Sequence, residues 1–124
     1  MRKIIMTVKY VEQMVLKAMD DMDLVQRKNN VTVMYNSYDK TLRVTRFDTT
    51  VLVLDFEPYG SDGYRSNEVG VVMWLVTSKT DADALNTVFE TLTSVGENVP
   101  DLKFGYRPVN GGGYAQFSDG TEFK

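Results

Sequence analysis

Two stretches of helical periodicity bracket a long run of period-two alternation, and this arrangement most restricts the folds open to the chain. Val11, Met14, Val15, Ala18, Met19 and Met22 fall at i, i+3, i+4, i+7, i+8 and i+11, one continuous apolar stripe. Ile4 and Val8 extend the stripe backwards, so the first helix is expected to begin at or before Thr7, the natural cap. Arg27 and Lys28 suit the negative end of a helix dipole, and Asn29-Asn30 reads as the stop. Four strand-like segments follow. Val31, Val33 and Tyr35 alternate with Thr32, Met34 and Asn36, and Asn36 to Lys40 has the polar chemistry of a short hairpin loop. Residues 41–47 place Leu42 and Val44 on one face and Arg43, Thr45 and Phe47 on the other. Asp48-Thr49 allows a tight turn into residues 51–57, with Leu52, Leu54 and Phe56 on one face.

Residues 69–77 are apolar on both faces, which predicts a central strand covered on one side by a helix and on the other by a partner. Together with Phe47, Val51 and Val53, that second face would form an apolar patch favouring a homodimer. A second helix then carries Leu85, Val88, Phe89 and Leu92 at helical spacing. Thr80 is its expected cap, close to a capping box, and Gly96 its stop. Residues 103–109 and 114–118 flank Asn110-Gly-Gly-Gly113, where glycine frees the backbone for positive φ, and read as a final hairpin. No repeat or linker divides residues 1–124. The chain is therefore expected to be a single α+β domain in the order α-β-β-β-β-α-β-β. Its antiparallel sheet would have about five to six strands, with both helices packed on one face.

The absent residue types restrict chemistry as firmly as the periodicity restricts the fold. Zero His and zero Cys leave no imidazole base, thiol nucleophile, disulfide or thiolate zinc site. No apolar run approaches the length of a membrane span, and Lys9 and Glu12 interrupt the apolar start before a signal-peptide core forms. A cytoplasmic location is expected. The formal charge of −3 lacks the basic excess of a sequence-independent nucleic-acid binder, and it is too small for a densely acidic nucleic-acid mimic.

Among candidate constellations, Asp55 and Glu57 share a strand face, where two carboxylates can hold Mg²⁺ or serve as acid and base. With these carboxylates, the element order loosely resembles the restriction-nuclease-like core, which implies a Mg²⁺-dependent nuclease. The departure is plain, because Glu57 precedes Pro58-Tyr59 and the D-x-K triplet occurs only at Asp101-Leu102-Lys103. Asp20, Asp21 and Asp23 lie on the solvated side of the first helix's end, with no calcium loop after them. Met6, Met14, Met19 and Met22 form a stripe suited to a core or to an adaptable contact.

Residues 57–68 hold Tyr59, Tyr64 and Arg65 among Gly, Ser, Asn and Asp, the composition of a recognition loop. Arg107, with Tyr106 and Tyr114, places a guanidinium beside aromatic rings near the glycines of the last hairpin. The function these features suggest is a small binding protein without catalytic activity or cofactor. It would contact a host protein through Tyr59, Tyr64, Arg65, Arg107 and Tyr114, as accessory proteins of phages and mobile elements do when they inhibit host defence. The alternative is a module that sequesters a nucleotide or cyclic nucleotide through Arg27, Tyr106 and Arg107. A Mg²⁺-dependent nuclease is the third reading.

Overall fold

The computed structural model describes residues 8–59, 67–109 and 112–123. Its elements are α1 (Lys9–Asp20), β1 (Gln26–Lys28), β2 (Val31–Asn36), β3 (Thr41–Arg46), β4 (Thr49–Asp55), β5 (Gly70–Trp74), α2 (Lys79–Ser94), β6 (Leu102–Arg107) and β7 (Gly112–Phe117). The first five strands make one antiparallel sheet in the order β1-β2-β3-β4-β5, and β6 and β7 pair separately. The α+β class and antiparallel architecture expected from the sequence are present.

Register explains the core. Val33, Val44, Leu52 and Trp74 lie side by side across four strands, as do Tyr35, Leu42, Leu54 and Val71. This face joins Val11, Met14, Val15 and Ala18 of α1 and Leu85, Val88, Phe89 and Leu92 of α2 in one buried cluster. Both helices therefore cover the same side of the large sheet. Neighbouring residues on a strand point to opposite sides, so Arg27, Thr32, Met34, Arg43, Thr45 and Thr50 occupy the other face. Two bulges adjust the alternation. Val51 is the extra residue opposite the Val44–Thr45 step and turns into the core, whereas Val72 is extra opposite the Val53–Leu54 step and is 62% exposed.

Three sequence expectations are corrected here. The first helix ends at Asp20, and the segment taken as its basic end is strand β1. Asn29 and Asn30 have φ of 51° and 65°, so they form the two-residue β1–β2 turn with positive φ at both positions, a conformation Asn tolerates. Residues 69–77 do not form a central strand, because β5 is the last strand of its sheet among the described residues. Its apolar residues are divided by the bulge: Val71 and Trp74 pack on the core, Val72 faces outward, and Val69 and Val76 are buried beyond the strand ends. The expected patch with Phe47 is also not assembled, since Val51 and Val53 are buried. The stretch before residue 8, including Thr7 and Met6, lies outside the described residues.

The second helix shows how a local signal shifts by one step. Its cap is Ser78 rather than Thr80: the Asp81 backbone N–H donates to Ser78 Oγ at 3.1 Å. At the other end, Gly96 (φ 92°) donates to the Thr93 carbonyl and Glu97 to that of Leu92, the paired bonds of a Schellman stop. Asn86 holds the final hairpin, donating to the Phe104 carbonyl at 2.9 Å and accepting from its N–H at 2.8 Å. The amide thus does for β6 what a neighbouring strand would do, so the hairpin sits on α2 as its own sheet. Gly113 is needed for close approach, since a Cβ there would come within 2.2 Å of the Val76 carbonyl oxygen. No helix among the described residues is long and apolar enough to cross a membrane.

One buried ion pair ties the layers together. Arg46, at the end of β3, donates through Nη1 to Asp81 Oδ1 in the first turn of α2. Asp81 Oδ2 also accepts from the Thr77 N–H at 2.9 Å and the Thr77 hydroxyl at 2.8 Å. Burial by itself pushes the Asp81 carboxyl upward. The Thr77 N–H, the Arg46 guanidinium and the Thr77 hydroxyl outweigh it and hold the pKa below the usual carboxylate range. Arg46 Nε is buried without a hydrogen-bond partner, a cost the pair carries.

Two outcomes follow from this packing. Phe89, buried and edge-on to Phe104 with centroids 5.1 Å apart, should lose about 3–5 kcal/mol on replacement by Ala in a urea titration. Asp81→Ala should cost about 3–5 kcal/mol at pH 7, because it strands a buried guanidinium. Since the folded pKa lies below the unfolded value of about 3.9, the carboxylate's contribution is present above that value and lost as pH falls through the folded one. Wild-type stability should therefore drop below about pH 4 more steeply than that of the Asp81→Ala variant.

Candidate functional site

The residues singled out in the sequence are dispersed. Tyr59 is exposed, while Tyr64 and Arg65 lie outside the described residues. On the hairpin, Arg107 and Tyr114 do come together, with the guanidinium 4.0 Å from the ring centroid. Tyr114 lies across Gly105 on the neighbouring strand, where a Cβ would come within 2.3 Å of the ring. Tyr106 does not join them. It follows Leu102 and Phe104 on the alternate face and packs against the core, so Tyr106 and Arg107 point to opposite sides. Arg27 is on β1 of the other sheet. The trio Arg27, Tyr106 and Arg107 thus does not form one ligand site.

The carboxylates do not share a strand face as expected, since β4 ends at Asp55 and Glu57 lies beyond it. Asp55 Oδ1 accepts from the Glu57 backbone N–H at 2.9 Å, capping the end of β4. Asp101 precedes β6, in the separate two-stranded sheet, so the carboxylate and the D-x-K triplet are not on adjacent strands. Among the described residues no three acidic, His or Cys side chains are grouped to hold a metal ion.

A surface the sequence did not reveal is built around Asp23. This residue has φ 69° and donates its N–H to the Tyr35 carbonyl at 2.8 Å. Its carboxylate accepts the Ser37 N–H at 2.8 Å and the Ser37 hydroxyl at 2.5 Å. These two bonds from Ser37 hold the Asp23 carboxyl below its ordinary pKa. The α1–β1 connection is thereby fastened to the β2–β3 turn. The clasp leaves Met22 50%, Leu24 59%, Val25 52% and Tyr38 95% exposed at one end of the molecule. The turn itself is stiffened by Asn36 Oδ1, which accepts from the Tyr38 and Asp39 N–H groups. In the sequence, Asp20, Asp21 and Asp23 read only as solvated charge, because Asp23 and its partner Ser37 are distant in sequence.

Protein-family models, curated proteins and solved structures offer no match to this chain. The geometry alone carries the functional argument.

If the clasp orders this surface, Asp23→Ala should accelerate hydrogen exchange at the Ser37 and Asp23 amides while leaving β3–β4 amides protected. Equal exchange in both proteins would show that the Asp23 bonds do not restrain the loops.

Proposed function

We propose that this chain is a non-catalytic, cytoplasmic binding protein whose partner is another protein. The observation carrying this reading is the Asp23-clasped end, where Met22, Leu24, Val25 and Tyr38 present apolar surface on two fastened loops. Exposed apolar clusters of this kind mark interaction surfaces. Tyr contributes a large contact at small entropic cost, and Met adapts its shape to what it meets. Two loops held by charge-assisted hydrogen bonds also lose less freedom on binding than free ones, which favours affinity.

A host protein is the partner this reading expects, with inhibition by direct contact as the mode of action. Tyr59 and the Arg107–Tyr114 stack, singled out in the sequence, offer exposed aromatic and cationic groups for a second contact. A second copy of the chain is the other partner class, and the β5 edge supports it. The strand reads Gly-Val-Val-Met-Trp, without the charges or proline that protect sheet edges, whereas the opposite edge, β1, is Gln-Arg-Lys.

The test is a capture experiment comparing wild type with the double variant Leu24→Asp, Tyr38→Ala. Both side chains are exposed, so stability should change by less than about 1 kcal/mol. Affinity for the captured protein should fall by about 2 kcal/mol or more. Recovery of the same proteins at the same affinity by both forms would refute this surface. Sedimentation at high micromolar concentration separates the self-association form, which should survive the double variant and be lost on Val72→Lys.

A further inference from the structure

The sheet face opposite the helices carries a recess of about 620 Å³, lined by Arg27, Asn30, Thr32, Thr45, Phe47, Asp48 and Thr50. Its floor is a single row across four strands. Arg27 pairs with Thr32, Thr32 with Thr45, and Thr45 with Thr50. At the usual strand spacing this row is about 14 Å long. Among the described residues, no group hydrogen-bonds the Thr32 or Thr45 hydroxyls and Arg27 has no ion pair. Arg43 lies one step further along β3 on the same face and leans toward the row, with Nη1 3.5 Å from Thr50 Oγ1. Two guanidinium groups therefore flank three hydroxyls, an arrangement suited to an anion with several oxygens.

The other end of the recess has different chemistry. The β1–β2 and β3–β4 turns meet there, joined by the Phe47 N–H donating to the Asn30 carbonyl at 2.7 Å. Phe47 has φ 54°, a conformation that favours Gly, and its ring is 64% exposed. Backbone preference does not favour a phenylalanine at this position; the Arg46 guanidinium lies over its ring, 5.4 Å from the centroid, and most of the residue stays exposed. Its ring offers an apolar face at the mouth of the recess, beside the Asp48 carboxylate and the Asn30 amide. Those two groups accept hydrogen bonds from amino or hydroxyl groups, and Asp48 repels an anion from this end. Along the strands, the recess thus runs from an aromatic, accepting end to a cationic, hydroxyl-rich one.

We propose that this recess binds a nucleoside monophosphate. Its phosphate would lie on the threonine row between Arg27 and Arg43, and its base on Phe47 with donors toward Asp48 and Asn30. The recess volume suits a ligand of that size. The site lies at the opposite end of β2 from the Tyr38 turn, so it stands independently of the protein-binding surface.

The test is calorimetric titration of the full chain with the four ribonucleoside 5′-monophosphates, with adenosine and with inorganic phosphate. At least one monophosphate should bind at least tenfold more tightly than adenosine or phosphate. Arg27→Gln should weaken it tenfold or more. Phe47→Leu, which keeps an apolar side chain but no ring, should do the same while the protein remains folded at the titration temperature by circular dichroism. Absence of saturable binding to all four monophosphates at millimolar concentration would overturn the proposal. So would inorganic phosphate binding as tightly as the nucleotides, or affinity unaltered in both variants.

Discussion

The pairing of Arg46 with Asp81 is the contact on which the rest of the arrangement depends. Arg46 ends β3 on the helix-facing side of the sheet, and Asp81 is buried in the first turn of α2. A carboxylate in that position suits the positive end of the helix dipole and also receives both donors of Thr77. The pair therefore positions the start of α2 over the end of β3. Because neighbouring strand residues alternate, directing Arg46 inward directs Thr45 outward and leaves Phe47 at the turn. Arg46 also lies over the Phe47 ring, 5.4 Å from its centroid. One buried cation thus connects helix placement on one face with the shape of the recess on the other.

A similar economy of polar groups operates elsewhere. Thr87 is fully buried on α2, and its hydroxyl donates to the Asp83 carbonyl while accepting the N–H of Val8 at 3.0 Å. It satisfies a backbone donor at the start of α1 that no cap side chain reaches. Asn86 clamps Phe104, and Asp23 clamps Ser37. Asn86 and Asp23 each join segments distant in sequence through two hydrogen bonds, and Thr87 does so through one. The apolar cluster supplies most of the driving force for burial, and these contacts select which of the possible packings is adopted.

The two proposed surfaces follow from that selection. Tyr38 and the Met22–Val25 segment adjoin because Asp23 reaches Ser37, and the recess forms because the β1–β2 and β3–β4 turns meet through Phe47 and Asn30. Among the described residues, the two end strands of the large sheet differ as well, β1 being short and charged and β5 apolar.

The sequence by itself determined the α+β class and the buried faces of both helices through Ala18 and Leu92. It also determined the β2–β3 turn at residues 37–40 and the glycine stop at Gly96. These depend on periodicity and on local backbone preference, which a short window of residues expresses completely. Asn29-Asn30 carried the signal of a two-residue hairpin turn, yet it served equally as a helix stop, since both use positive φ. Only the pairing of Gln26–Lys28 with Val31–Val33 decided between them. The edge position of β5 had no local signature either, because an apolar strand reads alike whether its neighbours are strands or solvent, and one bulge residue turned Val72 outward. Arg27, Thr32, Thr45 and Thr50 became a single row only once four strands adopted one register, and register is set by the core on the opposite face.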